Sequence, residues 1–254
     1  MTKLQRPDAI FFDLDETLID NTRPVAQLFL EVFAVHQPAA VRDGQILEPV
    51  LQALREQVGT LWQGMFDLTE RDLVSAMFDR TLRYCEQHCD IGIDVSASSL
   101  MARQLEQIGA RAIQPRSGAL QVLEALRARG VALGIITNGI ASMQMAKVRQ
   151  LALHQWVDTV VVSEMAGAHK PDAKVFAYAL EKIGVAAMRA WHVGDHPLND
   201  VTGAKRSGMS GILYAPDEND AGRFEACTQS MLEPDHRARH LLEILDLFET
   251  GEAS

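Results

Sequence analysis

Short apolar runs, each bounded by polar residues or glycine, constrain the fold of this chain more than any other feature. They are AIFFD (9–13), VALGIIT (131–137), TVVVSE (159–164), AWHVGD (190–195) and, more weakly, GILYAP (211–216). Because they lack the alternation of half-exposed strands, they are typical of strands buried on both faces of a parallel sheet. Helical patterns precede or separate the last four runs, as in 117–130 and 172–184. Strands that alternate with helices predict a doubly wound, mainly parallel α/β sheet.

About a hundred residues separate the first run from the second, far more than one crossover helix requires. Their patterns are helical, as in NTRPVAQLFLEVF (21–33), where Asn21 or Thr22 is a candidate cap and apolar residues recur at helical spacing. We predict an all-helical cap domain, 21–112, inserted into an α/β core. The core consists of 1–20 and 113–254. Near the end of the second segment, an amphipathic helix is predicted over 236–248.

Charge and cysteine content limit the partners and the compartment. The formal charge is −10, from 24 basic and 34 acidic residues, so we expect no nucleic-acid or anionic-membrane partner. No apolar run approaches the ~18 residues of a membrane helix, and the first run ends at Asp13, so we expect neither a membrane span nor a signal peptide. Three cysteines suit a reducing cytosol. We expect a cytoplasmic protein, and the sequence leaves its oligomeric state open.

Carboxylates follow the first apolar run. Asp13 and Asp15 are two residues apart, so both side chains point the same way if strand geometry continues to this point. The carboxyl ends of parallel strands are where open α/β sheets bind ligands. Two like charges this close resist joint ionisation unless a cation lies between them, and oxygen-only ligands suit Mg²⁺.

A second acidic motif, VGDHPLND (193–200), follows the run that ends at Asp195. Asp200 lies five residues later, at the start of a predicted helix. Neighbouring strands would bring Asp195 beside Asp13 and add a carboxylate to the cation site. By itself, Gly-Asp after a strand is also typical of an ordinary turn.

Candidates for anion binding follow the second and third runs. Thr137, Asn138 and Gly139 offer a hydroxyl and exposed N–H groups at the head of a helix. Lys170, in HKPD (169–172), can neutralise either a phosphate oxygen or a nucleophilic carboxylate. Asn-Gly turns and surface lysines are common, so these two signals count mainly through their order along the chain.

In order, the motifs are Asp-x-Asp-x-Thr, Thr-Asn, Lys-Pro and Gly-Asp-x₄-Asp, each after a predicted strand. This arrangement resembles the haloacid dehalogenase-like superfamily, in its phosphatase branch with a helical, C1-type cap. The resemblance covers essentially the whole core. It implies a Mg²⁺-dependent phosphatase that hydrolyses a small phosphorylated metabolite through an aspartyl-phosphate. Nucleotides, sugar phosphates, phosphoglycolate and flavin-type phosphates are substrates of similar proteins.

The resemblance also implies roles for individual residues. Asp13 matches the nucleophile, and Asp15 matches the general acid that protonates the leaving oxygen and then activates water. The metal contact of Asp15 is its backbone carbonyl, and Asp200 matches an outer-shell residue. The phosphate-binding residues are Thr137, Asn138 and Lys170, and the metal-binding residues are Asp13, Asp15, Asp195 and Asp200.

Two residues depart from the superfamily pattern. Glu16 stands where many members have glycine, and it makes the mouth of the site more acidic. His196 stands where a second aspartate is common, and the interpretations left open are a changed outer metal shell, a substrate contact or a structural role. The sequence assigns neither residue a role.

Three alternatives to a phosphatase fit the same scaffold. A phosphomutase uses the same aspartate pair and stays open. A 2-haloacid dehalogenase needs no proton on a leaving oxygen, so Asp15 disfavours it. A non-catalytic binding protein is disfavoured because every catalytic-type residue is present.

Overall fold

The computed structural model of this protein describes residues 4–41, 47–64, 73–88, 92–216 and 231–251. It divides into two units. The α/β unit consists of Met1–Asn21, Gln114–Gln144 and Val148–Ser254. The helical unit consists of Thr22–Ile113 and Met145–Lys147.

The strands build one large sheet and one small sheet. They are β1 (Ala9–Phe12), β2 (Ile19–Asn21), β3 (Ile113–Pro115), β4 (Ala132–Thr137), β5 (Thr159–Val162), β6 (Ala190–Gly194), β7 (Ser210–Tyr214) and β8 (His236–Ala238). The large sheet has the order β5-β4-β1-β6-β7-β8 and is parallel throughout. The small sheet pairs β2 with β3.

Helices account for most of the remaining described residues. They are α1 (Val25–His36), α2 (Pro38–Val41), α3 (Leu47–Gly64), α4 (Leu73–His88), α5 (Ser98–Arg111), α6 (Ala119–Ala128), α7 (Ala141–Gln150), α8 (Ser163–Ala166), α9 (Ala173–Ile183), α10 (Gly203–Arg206) and α11 (Glu243–Thr250). In the part of the chain that the structure describes, no helix is both long and apolar enough to span a bilayer.

β1 lies inside the large sheet, between β4 and β6. All of its side chains are fully buried, which explains an apolar run without alternation. Phe12 pairs with Ile135 in β4 and with Val193 in β6. The residues that follow these positions therefore emerge together at the carboxyl edge of the sheet.

The helical unit has its own apolar core. Leu28, Phe29, Val32 and Phe33 are buried along one face of α1, at the spacing that the sequence shows. The rings of Phe29 and Phe78 stack with centroids 4.6 Å apart, which joins α1 to α4. This packing explains why an amphipathic pattern, and no strand pattern, runs through the insertion.

The predicted fold class is confirmed: the chain has a parallel α/β core and an inserted helical cap domain. Each predicted strand is present, with ends shifted by one or two residues. The helix predicted over 236–248 is wrong in its first part. His236–Ala238 form the edge strand β8, which pairs with β7, and the helix begins only at Glu243. β8 satisfies backbone groups that β7 would otherwise leave unpaired, a long-range requirement that no local pattern reveals.

Gly134, in β4, provides a test of the packing around β1. A Cβ at this position would lie 2.5 Å from Cδ1 of Phe11, whose ring is fully buried. We expect Gly134→Ala to lower the free energy of unfolding by about 1–3 kcal/mol, because the core has no room for another methyl group. Urea denaturation followed by circular dichroism measures the change.

Gly109→Ala is the matched control, because a Cβ there would meet only Leu28 Cδ1, at 4.0 Å. This change in α5 should leave stability unchanged or slightly raised, since alanine favours helix over glycine. Equal stability of the two variants would contradict the proposed overpacking at Phe11.

Candidate active site

Polar side chains gather at the carboxyl edge of the large sheet, where β1, β4 and β6 end side by side. Asp13 directly follows β1, Thr137 closes β4, and Asp195 directly follows β6. Because β1 and β6 are hydrogen-bonded neighbours, Asp13 and Asp195 leave the sheet together. The juxtaposition expected from the sequence is therefore present in the fold.

Asp13, Asp195 and Asp200 form an acidic cluster in which one carboxylate oxygen from each residue lies within 4.8 Å of the other two. Burial, reinforced by repulsion from Asp200, raises the pKa of Asp195 to about 7. Burial also raises the pKa of Asp13, against the opposing attraction of Lys170. One ammonium among three carboxylates leaves two negative charges unbalanced when all are ionised, which a divalent cation would neutralise. The all-oxygen donor set suits Mg²⁺.

Lys170 is the cation of this cluster. Its Nζ donates to Asp13 Oδ1 at 2.6 Å, to Asp200 Oδ1 at 2.6 Å and to the carbonyl oxygen of Ile136 at 2.8 Å. An ammonium has three N–H bonds, so all its donors are engaged. Although burial opposes the charged form, attraction from Asp13 and Asp200 raises the pKa of Lys170. Of the two partners that the sequence left open, the structure places the carboxylate of Asp13 against this lysine.

Asp200 is surrounded by donors. Its Oδ1 also accepts a hydrogen bond from Nε2 of His192 at 3.0 Å, and its Oδ2 accepts one from the backbone N–H of His196 at 2.9 Å. Although burial opposes ionisation, Lys170 and His192 hold the pKa of Asp200 well below its usual range. A Cβ on Gly194 would lie 2.3 Å from Asp200 Cγ, so this close packing requires glycine. Asp200 therefore anchors the loop after β6, and both of its carboxylate oxygens already accept hydrogen bonds from the protein.

Asn138 connects the end of β4 to the segment that carries Lys170. Its Nδ2 donates to the Lys170 carbonyl oxygen at 3.0 Å, and its Oδ1 accepts from the Lys170 N–H at 2.8 Å. The neighbouring N–H of Gly139 donates to Ser163 Oγ at 3.0 Å. The Asn138 side chain thus positions Lys170, while the anion-binding roles of Thr137 and Asn138 stay predictions.

The Asp15 carboxylate is not part of the acidic cluster, and two carboxamides bind it. Nδ2 of Asn21 donates to Oδ1 at 2.9 Å, and Nε2 of Gln144 donates to Oδ2 at 2.7 Å. Gln144 Nε2 also lies 2.7 Å from Oγ1 of Thr137. The two oxygens of Asp15 therefore have separate donors, and one of these donors also contacts Thr137.

Glu16 adopts a left-handed backbone conformation, with φ of +59°. A non-glycine residue in this region costs about 1–3 kcal/mol. The Glu16 carboxylate accepts from Arg116 Nη2 at 2.5 Å and from Asn21 Nδ2 at 3.2 Å. Arg116 also pairs with Asp20 at 2.8 Å. These contacts offset the strain and give Glu16 and Asp20 structural roles that the sequence did not reveal.

The family profile of the haloacid dehalogenase-like hydrolases matches residues 10–214, which include every residue of the site described above. The chain belongs to the haloacid dehalogenase-like hydrolase family. The family and the hydrolase class predicted from the motif order are thereby confirmed.

Relatives of this family member differ in the substrates for which they are named. Over 209 residues it is 31% identical to a glyceraldehyde 3-phosphate phosphatase of Pyrococcus abyssi (strain GE5 / Orsay), covering 81% of this chain and 80% of the relative. Over 206 residues it is 29% identical to the pyrimidine 5′-nucleotidase YjjG of Escherichia coli (strain K12), covering 80% of this chain and 84% of the relative.

A solved structure shares the whole architecture. The 2-haloacid dehalogenase from Pseudomonas syringae pv. Tomato DC3000 aligns with a TM-score of 0.61 and 28% sequence identity, over 98% of this chain and 99% of that chain. The likeness extends through both units of this haloacid dehalogenase-like hydrolase.

Sequence reasoning missed three polar side chains of the site. Asn21, a candidate helix cap, instead binds Asp15, and α1 begins at Val25. Gln144 lies on α7 outside any motif, so no sequence signal identified it. His192 interrupts the otherwise apolar β6, and this interruption is a signal that could have identified it. Burial lowers the pKa of His192 and favours its neutral form.

Replacement of Lys170 tests its role in neutralising the cluster. We expect Lys170→Met to lower the free energy of unfolding by about 3–5 kcal/mol, because it leaves buried carboxylates without their cation. Urea denaturation in the absence of divalent ions measures this loss. Added Mg²⁺ should restore part of it, since a second cation can replace the missing charge.

Lys174→Met is the control for this experiment, because Lys174 is an exposed lysine on α9. Surface substitutions of this kind usually change stability by less than about 0.5 kcal/mol. Similar losses in the two variants would show that Lys170 makes no special contribution to the cluster.

Proposed function

We propose that this protein is a Mg²⁺-dependent phosphatase that hydrolyses a small phosphorylated metabolite through an aspartyl-phosphate on Asp13. The supporting observation is the pairing of a buried, lysine-neutralised Asp13 with a separately bound Asp15 two residues later. Phosphoryl transfer concentrates negative charge on oxygen, so catalysis depends on positioning and charge neutralisation. A site that combines carboxylates with a fixed ammonium meets both requirements.

The two aspartates divide the chemistry. The Asp13 carboxylate attacks phosphorus, and Asp15 donates a proton to the leaving oxygen. Asp15, now ionised, then removes a proton from the water that hydrolyses the aspartyl-phosphate. Lys170 contacts Asp13 before attack and so lies next to the phosphoryl group once it is transferred. Thr137 donates its hydroxyl proton to a phosphate oxygen, and backbone N–H groups near Asn138 contribute further donors.

Asp13 and Asp195 would hold the magnesium ion with the backbone carbonyl of Asp15, and Asp200 would support them from outside. The raised pKa values of Asp13 and Asp195, which arise mainly from burial, favour this assignment, because a bound cation would stabilise their ionised forms. When bound, the ion lets an anionic carboxylate approach an anionic phosphate.

Alternative reactions are weaker candidates. The solved dehalogenase shares the fold, but loss of a halide needs no proton donor, and Asp15 occupies the position of one. A phosphomutase would use the same pair of aspartates and differs only in where the phosphoryl group goes next. A binding protein without activity would not need the complete set of reactive residues found here.

The substrate is proposed as a class, with two first candidates. The names of the relatives suggest glyceraldehyde 3-phosphate and pyrimidine nucleoside monophosphates as the first compounds to assay. We propose that the helical cap domain, 21–112, selects among such compounds. We further propose that the enzyme acts in the cytoplasm, since the metabolites it would hydrolyse occur there.

Phosphate release from a broad metabolite panel, with Mg²⁺ and with a chelator, tests the function directly. We expect turnover of at least one small phosphomonoester with Mg²⁺ and none after chelation. Asp13→Asn should abolish turnover with an unchanged circular dichroism spectrum, because the amide is a poor nucleophile. Activity retained by Asp13→Asn would remove Asp13 from the nucleophilic role.

Isomerisation assays separate the phosphatase from the phosphomutase. A sugar phosphate that returns with its phosphoryl group on another oxygen, without release of inorganic phosphate, would support the mutase. We expect inorganic phosphate and the free alcohol as the only products.

A further inference from the structure

We propose that Gln144 is a positioning residue for both halves of the reaction: it fixes the Asp15 carboxylate and orients the Thr137 hydroxyl. This inference rests on the proposed function, because it assigns Gln144 a task through the acid–base role of Asp15. Gln144 lies on α7, outside the four motifs, and is only 4% exposed.

Gln144 connects two groups that the reaction needs in a fixed relation. Its Nε2 lies 2.7 Å from Asp15 Oδ2 and 2.7 Å from Thr137 Oγ1. A carboxamide nitrogen has two N–H bonds, so one proton can point to each acceptor. The carbonyl oxygen of Asn138, at 3.3 Å, is the more distant third neighbour.

The hydrogen bond to Asp15 sets the direction of a carboxylate. The Gln144 carboxamide donates to Oδ2, so it fixes where this oxygen points. Asn21 does the same at the other oxygen, at 2.9 Å, so the carboxyl plane is defined from both sides.

The bond to Thr137 orients a hydroxyl group. When Oγ1 accepts from Gln144, the hydroxyl proton must point elsewhere. Its contact within the described residues is the Asn138 carbonyl oxygen, at a long 3.4 Å. A phosphate oxygen would be a better acceptor, so Gln144 prepares Thr137 as a donor to the substrate.

Packing keeps Gln144 in this place. A Cβ on Gly139 would lie 2.7 Å from Gln144 Cγ and 2.9 Å from its Cδ. The missing side chain of Gly139 therefore provides the space in which the carboxamide lies. Asn21, which binds the other oxygen of Asp15, is also held in place. Its Nδ2 donates to Glu16, and Glu16 is itself paired with Arg116.

Gln144→Leu tests the inference, because leucine keeps the apolar bulk and removes both N–H donors. Gln144→Glu is the second variant, which keeps the shape and loses the donors. Gln150→Leu, at the exposed end of the same helix, is the control and should behave as the wild type. Each variant is assayed with Mg²⁺ on 4-nitrophenyl phosphate and on an alkyl phosphate.

The two substrates distinguish positioning from general damage. 4-Nitrophenolate leaves without a proton, so the first half-reaction should continue and release about one equivalent of nitrophenol in a rapid burst. Hydrolysis of the aspartyl-phosphate needs Asp15 as base, so later turnover should fall by about 10²-fold, the usual effect of misplacing a reacting group. The alkyl phosphate should show the same fall without a burst, because its leaving group needs the proton.

Three outcomes are informative. Full turnover of both substrates by the Gln144 variants would overturn the inference. A reduced burst with equal losses on both substrates would also overturn it, because it indicates a damaged site. Asp15→Asn, run in parallel, tests the underlying function: without the burst pattern in that variant, the acid–base role of Asp15 itself is rejected.

Discussion

The buried contact of Lys170 with Asp13 and Asp200 is the interaction on which the rest of the site depends. Three carboxylates at one sheet edge would repel one another strongly in a region that water barely reaches. The ammonium reduces that repulsion and directs Asp13, while Asp200 holds the ammonium in place. Asn138 then fixes the backbone of Lys170 with two hydrogen bonds, so the network includes the ends of β1, β4 and β6.

This network also explains why the acidic cluster fits a divalent metal ion. A single lysine leaves the ionised cluster negative, and burial, reinforced by repulsion between the carboxylates, raises the pKa values of Asp13 and Asp195. The surplus negative charge favours binding of a divalent cation. The proposed metal dependence therefore links stability to activity through one electrostatic imbalance.

The hydrogen-bond partners of Asp15 differ from those of Asp13. The carboxamides of Asn21 and Gln144 donate to its two oxygens. In the proposed reaction, the nucleophile attacks as an anion, whereas the acid–base group changes its charge during turnover. Two aspartates only two residues apart have different hydrogen-bond partners, which agrees with the different roles proposed for them.

Much of the architecture could be predicted from local patterns. β1, β4, β5, β6 and β7 follow from apolar runs without alternation, because a strand buried on both faces needs apolar side chains at every position. The seven site residues followed from the positions where those runs stop, together with their order along the chain. The edge strand β8 could not be predicted, because it forms by pairing with the backbone groups of β7, and that pairing leaves no signal in the local sequence.

By itself, the sequence determined the fold class and the family and supplied the candidate site residues, since strand periodicity and motif order are local properties of the chain. Only the tertiary structure decided which partner each residue meets. It placed Lys170 against Asp13, gave Glu16 its arginine partner, and brought Gln144 to Asp15 across 129 positions of the chain. Such contacts depend on how helices pack onto the sheet, and side-chain packing in three dimensions leaves no periodic signal in the sequence.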